Sequence, residues 1–189
     1  MNIIKGRGIG SLLALIVFGI VLLPSTRSEA AYNMYLALTG INGESTNSAF
    51  LNQIVVNSFS VGLTAPTSSS GGAGAGKPSF SNLTITKTLD KSSPILFLDC
   101  AEGTIISHAV LSFQSQIGSQ TVFYTITLNN VQVTSVESSG SSGGDNRPGE
   151  SISLAFQSIQ WTYQQLDSNG NPVGSPITTS YNLSTGSGT

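Results

Sequence analysis

The sequence predicts a mainly β domain carrying one short helix, on three observations. Apolar residues recur at every second position through most of the chain, Gly-, Ser- and Asn-rich stretches punctuate those runs, and one segment around Pro94 breaks the period of two. Composition agrees. Charged residues make up 8% of the chain against 39% hydrophobic, and the polar remainder is mostly Ser, Thr, Asn, Gln and Gly, which suits strands and turns better than solvated helices. A chain of 189 residues, with a leader set aside, fits one core-sharing unit over 31–189, since about 100–200 residues is the usual span.

Residues 1–30 read as a signal peptide. Lys5 and Arg7 form a positive start, Ile9 to Leu23 is an almost unbroken apolar run, and Ser28-Glu29-Ala30 offers small residues where a signal peptidase reads, which places cleavage after Ala30. The run falls short of the ~20 residues that span a bilayer, and Pro24 interrupts it before a polar stretch, so no stable membrane anchor is expected. No cysteine follows it to carry a lipid. The expected location is secreted or periplasmic. Of seven basic and nine acidic residues, three and one lie in the leader, which leaves four against eight in the mature chain. That balance argues against nucleic acid, because Lys77, Lys87, Lys91 and Arg147 are too few and scattered to build a phosphate-binding face. Cys100 is the single cysteine, so no intrachain disulfide can form and the fold must stand on its core.

The elements follow in order. Met34, Leu36 and Leu38 alternate ahead of a turn at Gly40; Val55, Phe59, Val61 and Leu63 share one face of the next run; Leu83, Ile85 and Leu89 obey the same rule. In Val122 to Leu128 the even positions carry Val, Tyr, Ile and Leu while the odd ones carry Phe, Thr and Thr, giving one buried and one mostly polar face. Further strands begin near Ser151, run through Ile159, Trp161 and Tyr163, and close with Ile177 to Leu183, for seven or eight strands of ordinary length. Between them, the segment Lys91 to Ala101 breaks the period of two and holds one short helix: Ser93 can accept an N-cap hydrogen bond, Pro94 suits the first helical position, and Gly103 supplies the stop. Leu96, Phe97, Cys100 and Ala101 recur at helical spacing and are expected to pack on the sheet, which makes Cys100 a small core residue.

Two segments are loops by composition. Ala65 to Gly76 holds only Ala, Pro, Thr, Ser and Gly, and Ser138 to Gly149 repeats that character with Asp145, Asn146, Arg147 and Pro148. Long loops inside a compact domain are uncommon unless they are functional or disordered, so each is a candidate contact surface beside the plain reading of a solvated loop.

No constellation supports catalysis, a metal or a cofactor. Gly71 to Lys77 spells a phosphate-binding loop, but Pro78 stands where Ser or Thr would hold magnesium and blocks the helix that should follow. Gly140-Ser141-Ser142-Gly143-Gly144 fits a nucleophile-elbow spelling that a Ser/Gly-rich loop produces by chance. His108 is the only histidine, in the apolar run Ile105 to Leu111, and one imidazole supplies neither a base held by an acid nor a metal ligand set. The carboxylates Glu44, Asp90, Asp99, Glu102, Asp145, Glu150 and Asp167 mostly sit beside turns, where solvated acids are ordinary.

Taken in order, three stretches resemble the haemolysin-coregulated protein (Hcp) family, the tube subunit of type VI secretion. Tyr35-Leu36-Ala37-Leu38-Thr39-Gly40-Ile41-Asn42-Gly43-Glu44-Ser45 resembles the family's opening strand and turn, Lys77 to Lys87 with Leu89 to Pro94 its strand leading into the one helix, and Ser138 to Phe156 with Ile159 to Tyr163 its Ser/Gly/Asp-Arg-Pro loop and next strand. The resemblance implies a two-sheet β-barrel with one short flanking helix, and six copies in a ring with a wide central hole. It further implies rings stacked into a tube that can carry protein cargo in its lumen. The family's long loop after the second strand reaches toward neighbouring subunits, which maps onto Thr64 to Gly76, with Ser68, Ser69, Ser70, Gly71, Gly72 and Gly74 in its span. Asp145 and Arg147 mark the second loop. The leader departs from the family pattern, whose tube is built in the cytoplasm and leaves through its own machine.

The expected function is therefore a structural, self-assembling subunit in exported form, without enzymatic activity. A secreted monomeric β-barrel with a binding or adhesive role is the alternative, and an exported hydrolase the third reading.

Overall fold

The computed structural model of the chain describes residues 32–65, 76–143 and 147–189. The leader reading at 1–30 lies outside these residues, as do Ser68 to Gly74 and Asp145. Among the described residues no helix is long and apolar enough to cross a membrane.

The described residues form twelve strands and one α-helix: β1 (Tyr32–Leu38), β2 (Ile54–Val56), β3 (Ser58–Ser60), β4 (Leu63–Thr64), β5 (Ser79–Phe80), β6 (Leu83–Thr88), α1 (Ser93–Glu102), β7 (Ile105–Ser115), β8 (Val122–Ser139), β9 (Gly149–Ala155), β10 (Ser158–Leu166), β11 (Pro172–Asn182) and β12 (Ser187–Gly188). Several are two or three residues long, too short to show a period, which is why alternation yields only seven or eight.

Strand β8 organises the molecule. One side of it pairs with β7; the other pairs with β9 over its second half and with β10 over its first. Asn130, at φ 48°, marks the point along β8 where the partner changes. Two sheets therefore share β8: β9–β6–β3 on one branch, and β2–β1–β7 with β10–β11–β12 on the other. The pairings run full circle because β2, held by β1, continues through Asn57 into β3, held by β6, and the Asn57 N–H donates to the Thr86 carbonyl at 2.8 Å. This is the expected two-sheet barrel, with β10 and β11 projecting from it as a wing.

Inward-facing residues fill the barrel. Leu36, Ile54, Leu83, Ile85, Leu96, Leu111, Ile126, Leu128, Ile152, Leu154 and Ile159 are each at most 1% exposed. Burial of one such side chain contributes about 1.5–3 kcal/mol, so this set is the main stabilising term. Met34, Leu36 and Leu38 point inward as their alternation predicts. The next run departs from it. Ile54 and Val56 are buried and Val55 is 46% exposed, while Phe59, of the same parity, packs on the core. Asn57 reverses the faces where the chain passes from one sheet to the other. Leu63 and Leu89, also expected inside, are exposed because their strands have ended or left the barrel.

The helix begins one residue earlier than predicted. Ser92 is its N-cap, without a side-chain cap bond, and Ser93 is the first helical residue. Gly103 closes it at φ 69°, a left-handed conformation glycine adopts without strain, and its N–H donates to the Asp99 carbonyl. Leu96 docks against the core and Cys100 is half-buried, but Phe97 and Ala101 face solvent. Only a narrow stripe of the helix touches the barrel, so the packing expected of those two residues is corrected.

Candidate assembly surface

Three regions carry the residues singled out above, and each is fixed differently. The stem of the first loop is a two-residue ladder in which Leu63 faces Phe80 and Thr64 faces Ser79. Phe80 anchors that stem. Its ring lies 5.4 Å from Tyr181 of β11, 6.0 Å from Phe156 in the β9–β10 connection and 6.3 Å from Trp161 of β10, and these three form an aromatic platform under it. Thr64 and Gly76, at either end of the loop, are exposed.

The second loop is tied down at Arg147. Its Nη1 donates to Glu44 Oε2 at 2.8 Å and lies 3.4 Å from the Leu89 carbonyl. Glu44 also accepts from the Lys91 N–H at 3.1 Å, and the Leu89 N–H donates to the Pro148 carbonyl at 2.9 Å. The Arg147 hydrogen bond, opposed only in part by desolvation, holds the Glu44 carboxyl below its usual range. This pair joins the β1–β2 connection to the β8–β9 connection, two of the three stretches that carry the family resemblance.

Beneath it lies a polar cluster that the sequence reading misses. Lys87 is 1% exposed and Glu150 is 3% exposed, which corrects the view of Glu150 as a solvated acid beside a turn. Lys87 Nζ lies 2.6 Å from Glu150 Oε2, 2.8 Å from Asp90 Oδ1 and 2.9 Å from Ser93 Oγ. Ser93 donates to Glu150 Oε2 at 2.6 Å, and Ser138 donates to Glu150 Oε1 at 2.8 Å. Burial alone would raise the Glu150 carboxyl, but the bonds from Lys87, Ser93 and Ser138 outweigh it and hold the group below its ordinary value. Ser93 beside a lysine amine has the look of a nucleophile and its base. The amine is held by the Glu150 and Asp90 carboxylates, the hydroxyl already donates to Glu150 Oε2, and both side chains are buried. The cluster thus joins β6, α1, β8 and β9.

His108 lies on β7 as predicted, exposed, with Nδ1 2.6 Å from Asn129 Oδ1. Among the described residues no group of three or more His, Cys, Asp or Glu is placed to hold a metal ion.

The third region is the wing. From Pro172 to Thr179 every residue of β11 is exposed; Ile177 is 67% exposed and Val173 43%. Apart from Tyr181 and Asn182, which meet β12, and Ser180, which bonds Thr189, the outer edge of β11 has no partner among the described residues. The bulge at Gly174 to Pro176 is filled by Gln164, whose Nε2 donates to the Val173 carbonyl at 3.1 Å. Across the sheet, register aligns Ser112, Thr125, Thr162 and Thr178 in one row and Val110, Thr127, Gln160 and Ser180 in the next. The outward face of these four strands is thus uncharged along both rows.

Comparison with known proteins places this architecture. The family model described as type VI secretion system effector, Hcp, matches residues 35–163. Protein hcp1 of Pseudomonas aeruginosa is 36% identical over 108 residues, which cover 57% of this chain and 66% of that protein, just under two thirds of its length. A solved type six secretion system protein shares 31% identity, with a TM-score of 0.79 over 84% of this chain and 100% of the other. Hcp1 of Salmonella typhimurium shares 28%, with a TM-score of 0.68 over 82% and 97%. With the barrel, the flanking helix and the aligned segments all in agreement, the chain belongs to the Hcp family of type VI secretion system proteins.

Proposed function

We propose that the chain is an exported structural subunit that associates with copies of itself as a ring, six to a turn, with rings stacking into a tube. The observation that carries this reading is β11, which is exposed on both faces from Pro172 to Thr179 and, among the described residues, unpaired along most of its outer edge. A long free edge is a template for another strand, and soluble monomers ordinarily cover or blunt it. Family membership points the same way, and the uncharged outward face would suit a lumen that admits protein cargo without sorting it by charge.

Stacking falls to the loop between Thr64 and Gly76, raised on the Phe80 platform. The second loop, at Arg147, stands at the other end of the β6–β9 ladder, beside Thr88 and Gly149, and would serve a separate contact. Export rests on the leader: Lys5, Arg7 and the apolar run give the chain a route across the inner membrane that needs no injection machine. Chemistry belongs to surface complementarity and not to catalysis.

Native mass spectrometry and electron microscopy of the chain beginning at Ala31 test the reading. A ring-sized species is expected, and a strict monomer at high concentration would overturn it. Deleting Ser68 to Gly74 is expected to leave rings intact but unstacked; unchanged tubes would remove that role from the loop.

A further inference from the structure

The start of β1 opens onto a groove of about 260 Å³ whose lining includes Tyr32, Ile117, Phe123, Tyr163, Leu166 and Asp167. Its walls are largely aromatic. The Tyr32 and Phe123 rings meet edge-on at 5.8 Å, and Tyr163 is 47% exposed. Asp167 is the one charged side chain among the described lining residues, and the Tyr32 and Tyr163 phenols are the other titratable groups.

Asp167 is held in place before any partner arrives. Its Oδ1 accepts from the Asn169 N–H at 2.8 Å and the Asn171 N–H at 2.9 Å, while Oδ2 takes only the Asn171 side-chain amide at 3.2 Å. Those bonds, the one from the Asn171 backbone foremost, hold the carboxyl ionised below its usual range. The turn that carries it is pressed on the β7–β8 turn: Thr121 Oγ1 donates to the Gly170 carbonyl at 3.1 Å, and a Cβ on Gly170 would lie 2.4 Å from the Ile117 carbonyl oxygen. A fixed carboxylate with a free lone pair, beside an apolar groove, fits a cation on a short uncharged stem.

We propose that the groove seats the chain's own mature N-terminus, with the α-ammonium of Ala31 paired to Asp167. The proposal rests on the reading that the leader is removed after Ala30. Tyr32 lines the groove and pairs with Ser115, so the mature N-terminus is one residue removed from a lining residue. One extended residue spans about 3.3 Å, which tethers the amine close to Tyr32. In the uncleaved chain position 31 carries an amide N–H and no charge, so the pair can form only after processing. Leader removal then fastens the beginning of β1 to the turn at the root of the wing.

The test uses the chain beginning at Ala31, released from a fusion by a protease that leaves that amine free. An unperturbed α-amino group titrates at about 7.7–8.0. Pairing is expected to raise it by about one unit, read as roughly tenfold slower acylation at neutral pH than in an unfolded peptide of the same start. Asp167→Asn keeps an oxygen for the Asn169 and Asn171 N–H groups, so the turn stays folded, and it is expected to abolish the protection. A second variant with one extra alanine before Ala31 should lose it too. Peptide-like reactivity in the parent chain, or undiminished protection in Asp167→Asn, overturns the pairing. Intact mass of the exported protein tests the leader reading separately: a start other than Ala31 overturns that reading, whatever the amine does in the chain made in vitro.

Discussion

Lys87 and Ile177 exchange the places that hydropathy assigns them: the lysine is 1% exposed in the barrel wall, and the isoleucine is 67% exposed on the wing. The contrast separates two kinds of surface within one β fold. Around Lys87 the chain completes itself, since the ammonium meets two carboxylates and a hydroxyl, and the strands on either side are paired. Along β11 both apolar side chains and backbone groups find no partner among the described residues. Burying an ion pair stabilises little against a well-packed apolar alternative, but it fixes which elements meet. An open edge contributes nothing to the folded monomer and is used only when a second chain arrives. The barrel end is thus the determinant of shape, and the wing the candidate for contact.

The largest effect is expected at the barrel end. Glu150→Gln leaves the buried Lys87 with Asp90 as its one carboxylate partner, and breaking such a pair costs about 3–5 kcal/mol, which a urea unfolding curve at neutral pH would read as a lower midpoint. Changing Lys87 and Glu150 together to Met and Leu should cost less than the sum of the single changes, because no uncompensated charge remains between them. The same site sets an acid limit. The folded-state carboxyl of Glu150 lies below its ordinary value of 4.5, so its contribution is complete above that value. It fades as pH falls toward the folded value, because the unfolded chain takes the proton first. Stability measured across that window should fall in the parent chain and change less in Glu150→Gln.

How far this could be read from residues alone follows the same division. Alternation in β1 and β8 and the Pro94 and Gly103 signals of α1 were legible because local backbone rules place them. The reversal at Asn57 was not, since it comes from β2 and β3 serving different sheets, a tertiary demand with no local period. The Lys87 cluster did leave a trace: Lys87 follows Leu83 and Ile85 on the inward parity of β6, and Glu150 precedes Ile152 and Leu154 on that of β9. A charged residue on a buried parity is a request for a partner, and here two strands paired in register make the same request. The two-sided exposure of β11 left no such mark, because Val173 and Ile177 read as ordinary strand residues until the missing neighbour is seen.

An intermediate effect is expected where wing and barrel touch. Gly170 has φ 81°, and a Cβ there would meet the Ile117 carbonyl oxygen at 2.4 Å. Gly170→Ala therefore combines a left-handed backbone with a steric conflict, a strain on the order of 1–3 kcal/mol. Because the conflict is confined to two turns, hydrogen exchange should rise first in the β7–β8 and β10–β11 turns and leave Ile152 and Leu154 protected. Uniform loss of protection would instead make the wing part of the barrel's cooperative unit and erase the distinction drawn above.

The smallest effect on stability, and the most telling, is expected at Ile177. Ile177→Lys removes little buried surface, so the unfolding midpoint of the monomer should stay within about 0.5 kcal/mol of the parent. Self-association should nevertheless fall, because a lysine on an exposed strand is among the devices by which natural sheets prevent edge pairing. Sedimentation velocity at several concentrations separates the two quantities. If the variant assembles as the parent does, contact between copies lies elsewhere and β11 is merely a tolerated edge. If it unfolds as readily as Glu150→Gln, the wing belongs to the core. Only a stable, dissociated variant is consistent with a barrel that folds for itself and a wing kept open for its neighbour.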